Sequence, residues 1–182
     1  MAAQPGCQLQ RRQRRQRHGR QQLAAPASYN TNPQNVEQCQ TPPSPEHTAE
    51  QAVSIQLAAL QRNDEPWGNH GVQTAYEWAL DVGGLDPSMF FGFSKDLYHF
   101  DHFMGMFANR LGELINCEAF SVEGAEERPA SDGAPPTAVV TAAVTPARGG
   151  EPRRFEFHLR RKAVGARKGS LMTYMVRRLD QE

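Results

Sequence analysis

The chain has 182 residues, with 20 Lys or Arg, 20 Asp or Glu and 6 His, so its formal net charge is zero. This length suits one core-bearing domain and is short for two. No apolar run reaches the roughly 18 to 20 residues that a membrane-spanning helix needs, which predicts a soluble chain without a membrane span. Three cysteines, Cys7, Cys39 and Cys117, form no CxxC pair and no Cys/His ligand spacing. The sequence therefore indicates neither a disulfide framework nor a structural zinc site.

The charges are unevenly distributed along the chain. Residues 1–36 contain six arginines and no acidic residue, whereas 14 basic and 20 acidic residues follow. This Arg-rich segment has few side chains that could form a hydrophobic core, which predicts a disordered leader over residues 1–46. An acid-free, Arg-rich start without an apolar stretch is typical of an organellar transit peptide and not of a secretory signal. A nuclear-localisation cluster, an arm that contacts nucleic acid and a dispensable extension are the alternatives.

Residues 47–182 are predicted to form a single domain that begins with helices. Thr48 and Gln51 have the spacing of a capping box, in which the side chain of each residue accepts a hydrogen bond from the backbone amide of the other. A helix should therefore begin at Thr48 and end before Pro66. A second helix is predicted from about 70 to 80, ended by the glycine pair that follows.

The third helix should begin near Ser94. At about 100 degrees per residue, its large apolar side chains fall within one arc. These side chains are Leu97, Phe100, Phe103, Met104 and Phe107. His99 and His102 fall on the opposite, solvated face, which argues against a metal site although they lie one helical turn apart. The helix is therefore predicted to place an aromatic stripe on the core.

After the helices, the apolar pattern changes to a period of two. Residues 155–159 alternate between Phe or Leu and polar side chains, which predicts a strand with one buried face. Strands are also predicted over residues 111–122, 137–144 and 171–178, joined by Gly- and Pro-rich links that favour antiparallel neighbours. We therefore predict an α+β fold in which three helices pack on a curved antiparallel sheet of about four strands, in a cone-like arrangement with an apolar pocket.

The loop NDEPWGNHG, residues 63–71, concentrates side chains suited to chemistry. Asp64 and His70 beside Trp67 could form an acid–base pair whose proton affinities are tuned by partial burial. The alternative interpretation is that Asn63 and Asp64 cap helix ends while Trp67 fills the base of the core. The sequence favours this second interpretation.

No other motif indicates a reaction. The apolar segment MFFGFS, residues 89–94, lacks the glycine spacing of a phosphate-binding loop. No GxSxG nucleophile elbow is present, and Cys117 has no sequence-local partner, which favours a buried and inert thiol. The basic clusters near the last hairpin lack the aromatic spacing of an RNA-binding module. We therefore predict no metal, no cofactor and no nucleic-acid partner.

The chain resembles a family of plant and algal proteins that share a domain of unknown function. Four segments carry the resemblance: QLAALQRNDEPW, HGVQTAYEWA, FFGFSKDLYHFDHF and KGSLMTYMVRRL. It covers about residues 48–180 and implies the cone-shaped α+β superfamily that includes nuclear transport factor two and ketosteroid isomerase. Leu171 stands where that family often has Trp, so the last strand departs from the pattern. Members often carry plastid-type leaders, which implies a chloroplast location, with the mitochondrion as the alternative.

Two functions are open at the level of the sequence, because the family has no established catalytic residues to carry over. The first is a non-catalytic binding module of an organelle that holds an apolar small molecule or a protein partner. Trp67, Phe91 and Phe93 are the ligand-binding residues predicted for it. The superfamily also implies a homodimer through the open face of the sheet.

The second function is a small enzyme of isomerase or hydrolase type. Its pocket would carry Asp64, His70 or Asp86 as the proton-transferring group, with Tyr76 or Tyr174 as a hydrogen-bond donor. The cavity lining distinguishes the two functions. An apolar lining without a carboxylate favours binding, and an inward Asp or His beside a Tyr favours chemistry.

Overall fold

A computed structural model describes residues 39–80, 97–130, 136–165 and 167–179 of the chain. Within these ranges the chain forms three α-helices followed by four β-strands. The strands make one antiparallel sheet in which spatial order follows sequence order. The predicted α+β class, with three helices and a four-stranded antiparallel sheet, is confirmed.

The residues that precede the first helix pack against the fold. Cys39 is 2% exposed, and the carbonyl of Thr41 accepts a hydrogen bond of 3.0 Å from the indole of Trp78. This packing starts before the boundary at residue 46 that the sequence predicts. Residues 1–38 of the predicted leader lie outside the described ranges.

Helix α1 spans Ala49–Gln61 and begins at the predicted capping box. The Thr48 hydroxyl accepts from the Gln51 amide at 3.2 Å, and the Gln51 side chain accepts from the Thr48 amide at 2.9 Å. These bonds satisfy two amides that a helix start leaves free, so this prediction is confirmed. The buried face of α1 consists of Ala49, Ala52, Val53, Gln56, Leu57 and Leu60.

Helix α2 spans His70–Trp78 and crosses α1 at close range. A Cβ atom at Gly71 would lie 2.5 Å from the carbonyl oxygen of Ala59, so this approach requires glycine. The sequence predicts an end near residue 80, but the helix ends earlier. Ala79 is extended and forms a parallel bridge with Thr173, so pairing with the sheet ends α2 before the glycine pair.

Helix α3 spans Leu97–Leu111. Phe103 and Phe107 are buried, while Phe100 and Met104 are half-buried and pack against the core. The predicted inward aromatic stripe is confirmed for these side chains. The predicted start near Ser94 lies outside the described residues.

The four strands are β1 Ala119–Arg128, β2 Thr137–Thr145, β3 Arg153–Arg161 and β4 Leu171–Arg178. The predicted alternation in β3 is confirmed, because Phe155, Phe157 and Leu159 are buried while the residues between them are less buried. Their buried face joins the helices in one core. Among the described residues, no helix combines the length and the hydrophobicity needed to cross a bilayer.

The predicted strand over residues 111–122 is wrong in position. Gly112–Leu114 form a 3₁₀ helix that buries Leu114, and Asn116 has a positive φ of 54°. Strand β1 starts only at Ala119 and continues through the acidic EGAEER segment to Arg128, beyond the predicted end at residue 122. These charged residues suit a strand at the edge of the sheet, where side chains remain exposed to water.

Candidate functional site: a cavity between α3 and β4

A cavity of about 590 Å³ lies between α3 and β4, and we call it the α3–β4 cavity. Helices α1 and α2 and strand β3 complete its wall. Most of its described lining is apolar, including Leu60, Phe103, Phe107, Leu111, Phe157 and Val176. Because Phe103 and Phe107 belong to the predicted stripe, the aromatic face of α3 forms both part of the core and one wall of this cavity.

One buried polar pair lies in the lining. The amide nitrogen of Gln56 donates to the hydroxyl of Thr173 at 3.0 Å and to the Ala52 carbonyl at 2.9 Å. Both residues of the pair are buried, at 2% and 8% exposure. The polar atoms of Gln56 and Thr173 are therefore largely satisfied by the protein, and an apolar ligand can contact this part of the wall without leaving them unpaired.

The end of the cavity near the last residues of β4 carries charged side chains. Arg178 donates to a carboxylate oxygen of Glu113 at 3.1 Å, and Arg153 pairs with the same oxygen. Arg110, on the last turn of α3, also lines the cavity. Basic side chains thus gather at one end of an otherwise apolar space.

Side chains of the loop before α2 accept hydrogen bonds from backbone amides. The side-chain oxygen of Asn63 accepts from the Val72 amide at 3.1 Å, and that of Asp64 accepts from the Asn69 amide at 2.9 Å. Asn63 is 3% exposed, whereas Asp64 is exposed. Both side chains therefore satisfy backbone amides near the start of α2, as predicted. Trp67 is only half-buried and is not part of the hydrophobic core, so the prediction that it fills the base of the core is wrong.

Trp67 and His70 contact each other but do not line the α3–β4 cavity. Their ring centroids are 4.7 Å apart in an edge-on arrangement, and the Trp67 indole donates to the Gln73 side chain at 2.7 Å. His70 instead borders a second cavity of about 500 Å³ beside α1 and α2, which we call the α1–α2 cleft. The cleft also contacts Ile55 and Ala58.

The environment of His70 favours the neutral imidazole. His70 is 3% exposed, and its Nε2 accepts from the backbone amide of Gln40 at 3.4 Å. Burial lowers the pKa of His70 from its ordinary value of 6.5, and the Glu65 carbonyl acts in the opposite direction. No carboxylate shares a hydrogen bond with the imidazole among the described contacts, so it is not paired with Asp64.

The two predicted tyrosine donors lie in different places. Tyr76 is buried and packs edge-on against Phe100 and Phe103 at 5.3 and 5.2 Å. Tyr174 borders the α3–β4 cavity, but it is 44% exposed and its ring packs beside His158 and the Arg160 guanidinium. These two partners alternate with the buried side chains of β3, so the Tyr174 ring faces away from the helices.

Three predicted site residues, Asp86, Phe91 and Phe93, lie outside the described residues. Of the others, Asp64, Trp67 and His70 are near the start of α2, Tyr76 is in the core, and Tyr174 is at the sheet surface. The structure therefore does not bring them together in one site. Within the described lining of the α3–β4 cavity there is no carboxylate and no imidazole.

No protein-family model matches this chain, and neither a curated protein nor a solved structure matches it. The resemblance to the plant and algal family therefore stays a prediction.

Metal ligation finds no support among the described residues. They contain no group of three or more His, Cys, Asp or Glu side chains that could hold an ion. His102 is exposed on α3. Cys117 is 3% exposed, and burial raises the pKa of its thiol above 9.0. This environment disfavours the reactive thiolate and agrees with the predicted buried, inert cysteine.

The polar residues of the α3–β4 cavity are not among the predicted site residues. Gln56 carries a signal that could have been noticed, because it is a polar residue on the apolar face between Val53 and Leu60. Arg178 and Glu113 carry no such signal, since they are 65 residues apart in sequence. Only the packing of the sheet against the end of α3 brings them together.

Proposed function

We propose that the protein is a non-catalytic binding module and that the α3–β4 cavity holds an apolar small molecule. The observation that supports this proposal is the lining, which is aromatic and aliphatic and, over the described residues, lacks a carboxylate or imidazole. A volume of about 590 Å³ also lies within the range of roughly 300 to 1,000 Å³ that ligand pockets occupy.

The cavity lies between the helices and the sheet, which is where the cone-like arrangement implied by the resemblance would have its pocket. We include that arrangement in the proposal, together with a chloroplast location and a homodimer through the open sheet face. Targeting of a fluorescent protein fused to residues 1–46 tests the location. The mass of the purified protein in solution tests the homodimer, and a monomer at high concentration argues against it.

The alternative, an isomerase- or hydrolase-type enzyme, needs a proton-transferring group inside the pocket. Asp64 accepts from the Asn69 amide and is exposed, and His70 borders the α1–α2 cleft instead of the α3–β4 cavity. Asp86 lies outside the described residues. No described contact favours this function over binding.

A pair of cavity-filling variants tests the proposal. Ala79 borders the α3–β4 cavity, and Ala58 borders the α1–α2 cleft. Both are half-buried alanines, so Ala79→Phe and Ala58→Phe add the same side chain in different spaces. Binding is measured by titration with N-phenyl-1-naphthylamine, an uncharged probe whose fluorescence rises in apolar surroundings.

We expect the wild type and Ala58→Phe to bind the probe, and Ala79→Phe to bind it at least about tenfold more weakly, because about one phenyl group of apolar contact space is lost. The thermal unfolding midpoint of each variant checks that the fold is retained. Loss of binding in Ala58→Phe alone would place the ligand in the α1–α2 cleft. Absence of binding in the wild type would contradict the proposed function.

A further inference from the structure

Over the part of the chain that the structure describes, the α3–β4 cavity has an unbalanced charge at one end. Its described lining includes Arg110, Arg177 and Arg178 and no acidic residue. Arg177 pairs at 2.7 Å with Glu156, which lies outside the lining, so its charge is locally compensated. The other two arginines therefore decide the electrostatic character of this end.

Arg178 is not fully compensated by its partner. It shares one carboxylate oxygen of Glu113 with Arg153, so two guanidinium groups face one negative charge. The side chains of Arg178 and Glu113 are 24% and 31% exposed, so water screens this excess charge only in part. The cluster of Arg153, Arg178 and Glu113 thus carries a net charge of about +1 in a partly desolvated position.

Arg110 adds a second positive charge to the same end. It lies on the last turn of α3, is exposed, and forms no ion pair within the described residues. Among the described residues, its guanidinium therefore has no ion-pair partner to release before it binds an anion. Guanidinium groups hold carboxylates through charge-assisted hydrogen bonds that an alcohol of the same length cannot reproduce.

We propose that the ligand of the α3–β4 cavity is an amphipathic anion. Its apolar body packs against Phe103, Phe107 and Val176, and its carboxylate is held by Arg110 and Arg178. This inference rests on the proposed function, since it assigns a chemical class to the ligand of that same cavity. The apolar wall supplies affinity for the body, and the two arginines select the head group and its orientation.

Competition among three ligands of equal chain length tests the inference. Dodecanoate, dodecanol and dodecylamine are used below their aggregation limits to displace the uncharged naphthylamine probe from the wild type. We expect dodecanoate to displace it at roughly tenfold lower concentration than dodecanol, and the protonated amine to be the weakest competitor. The advantage of dodecanoate should shrink as NaCl is raised, because the arginines are partly exposed.

Arginine variants locate the effect. The measured quantity is the concentration of dodecanol that displaces the probe, divided by the concentration of dodecanoate that does so. In Arg110→Gln and in Arg178→Gln this ratio should fall several-fold, while displacement by dodecanol stays close to that of the wild type. Arg148→Gln is the matched control, because this substitution removes the same charge from an exposed position in the turn between β2 and β3, away from the cavity lining. Arg110 is exposed, so its substitution leaves the fold intact even if Arg178→Gln destabilises the protein.

Two results would overturn the inference. The first is that dodecanol displaces the probe at the same concentration as dodecanoate. This result would contradict the anionic head group and leave the proposed binding function unchanged. The second is an advantage that persists unchanged in both Arg110→Gln and Arg178→Gln. Failure of the probe and of every competitor to bind would instead contradict the proposed function itself, and the inference with it.

Discussion

His70 illustrates how burial at a single residue sets a measurable property of the whole protein. Because burial lowers its pKa from 6.5, the native state binds a proton at His70 less readily than the unfolded state does. The stability that this neutral imidazole contributes is therefore complete above about pH 6.5. It is lost as the pH falls through 6.5 toward the lower pKa of the native state.

A variant of His70 tests whether stability decreases in this direction of pH. Between about pH 7.5 and pH 5.5, the free energy of unfolding in urea should decrease less in His70→Gln than in the wild type, since the glutamine cannot titrate. His102→Gln is the control, because it makes the same substitution at an exposed site on α3. The same pH dependence in His70→Gln and in the wild type would contradict the assignment.

Residue roles set by neighbours in sequence were predictable, and roles set by distant packing were not. The capping box at Thr48 and the capping by Asn63 and Asp64 involve partners within one short segment, so spacing alone indicates them. The partner of Gln56 is Thr173, which is 117 residues away in sequence. No periodicity in the chain could predict that pair before the helix and the sheet are placed together.

At the scale of elements, Gly71 determines how closely α1 and α2 approach. The atoms that a Cβ at Gly71 would meet are backbone atoms of Ala59 and Leu60, at 2.5 and 2.8 Å, and backbone atoms cannot move aside as a flexible side chain can. The two helices would have to separate if a methyl group were added. Such a separation would also disturb Asn63 and His70, which flank the contact.

Alanine substitution of two helical glycines measures this contact. Gly71→Ala should lower the free energy of unfolding by at least about 2 kcal/mol, because overpacking outweighs the better helix propensity of alanine. Gly105→Ala is the matched control, since no atom of the described residues lies within 4 Å of its added Cβ in α3. It should raise stability by about 0.5–1 kcal/mol. Equal effects at the two sites, measured by urea unfolding, would show that α1 and α2 do not meet as described.

Elements with strong periodicity were predictable, and their boundaries were less so. Helix α1 and strands β2, β3 and β4 have apolar patterns that their own residues supply, and their predicted positions agree with the structure. The end of α2 depends on a bridge between Ala79 and Thr173, and the start of β1 depends on its register with β2. Both are set by tertiary pairing, which explains why local turn signals misplaced them.

At the scale of the molecule, the same aromatic face serves stability and the proposed function. Phe103 and Phe107 pack in the core and also line the α3–β4 cavity, so one face of α3 contributes to both. The sequence indicated an apolar pocket between helices and sheet. Its basic end could not be predicted, because Glu113, Arg153 and Arg178 meet only in the folded chain.

Methionine methyl groups offer a direct test of where a ligand binds. Met106 lines the α3–β4 cavity and is 41% exposed, whereas Met172 is 1% exposed and does not line it. In a titration of protein labelled at the methionine methyl groups with dodecanol, followed by NMR, the Met106 resonance should shift in a saturable manner while the Met172 resonance stays close to its starting position. A saturable titration that leaves Met106 unchanged would contradict the account.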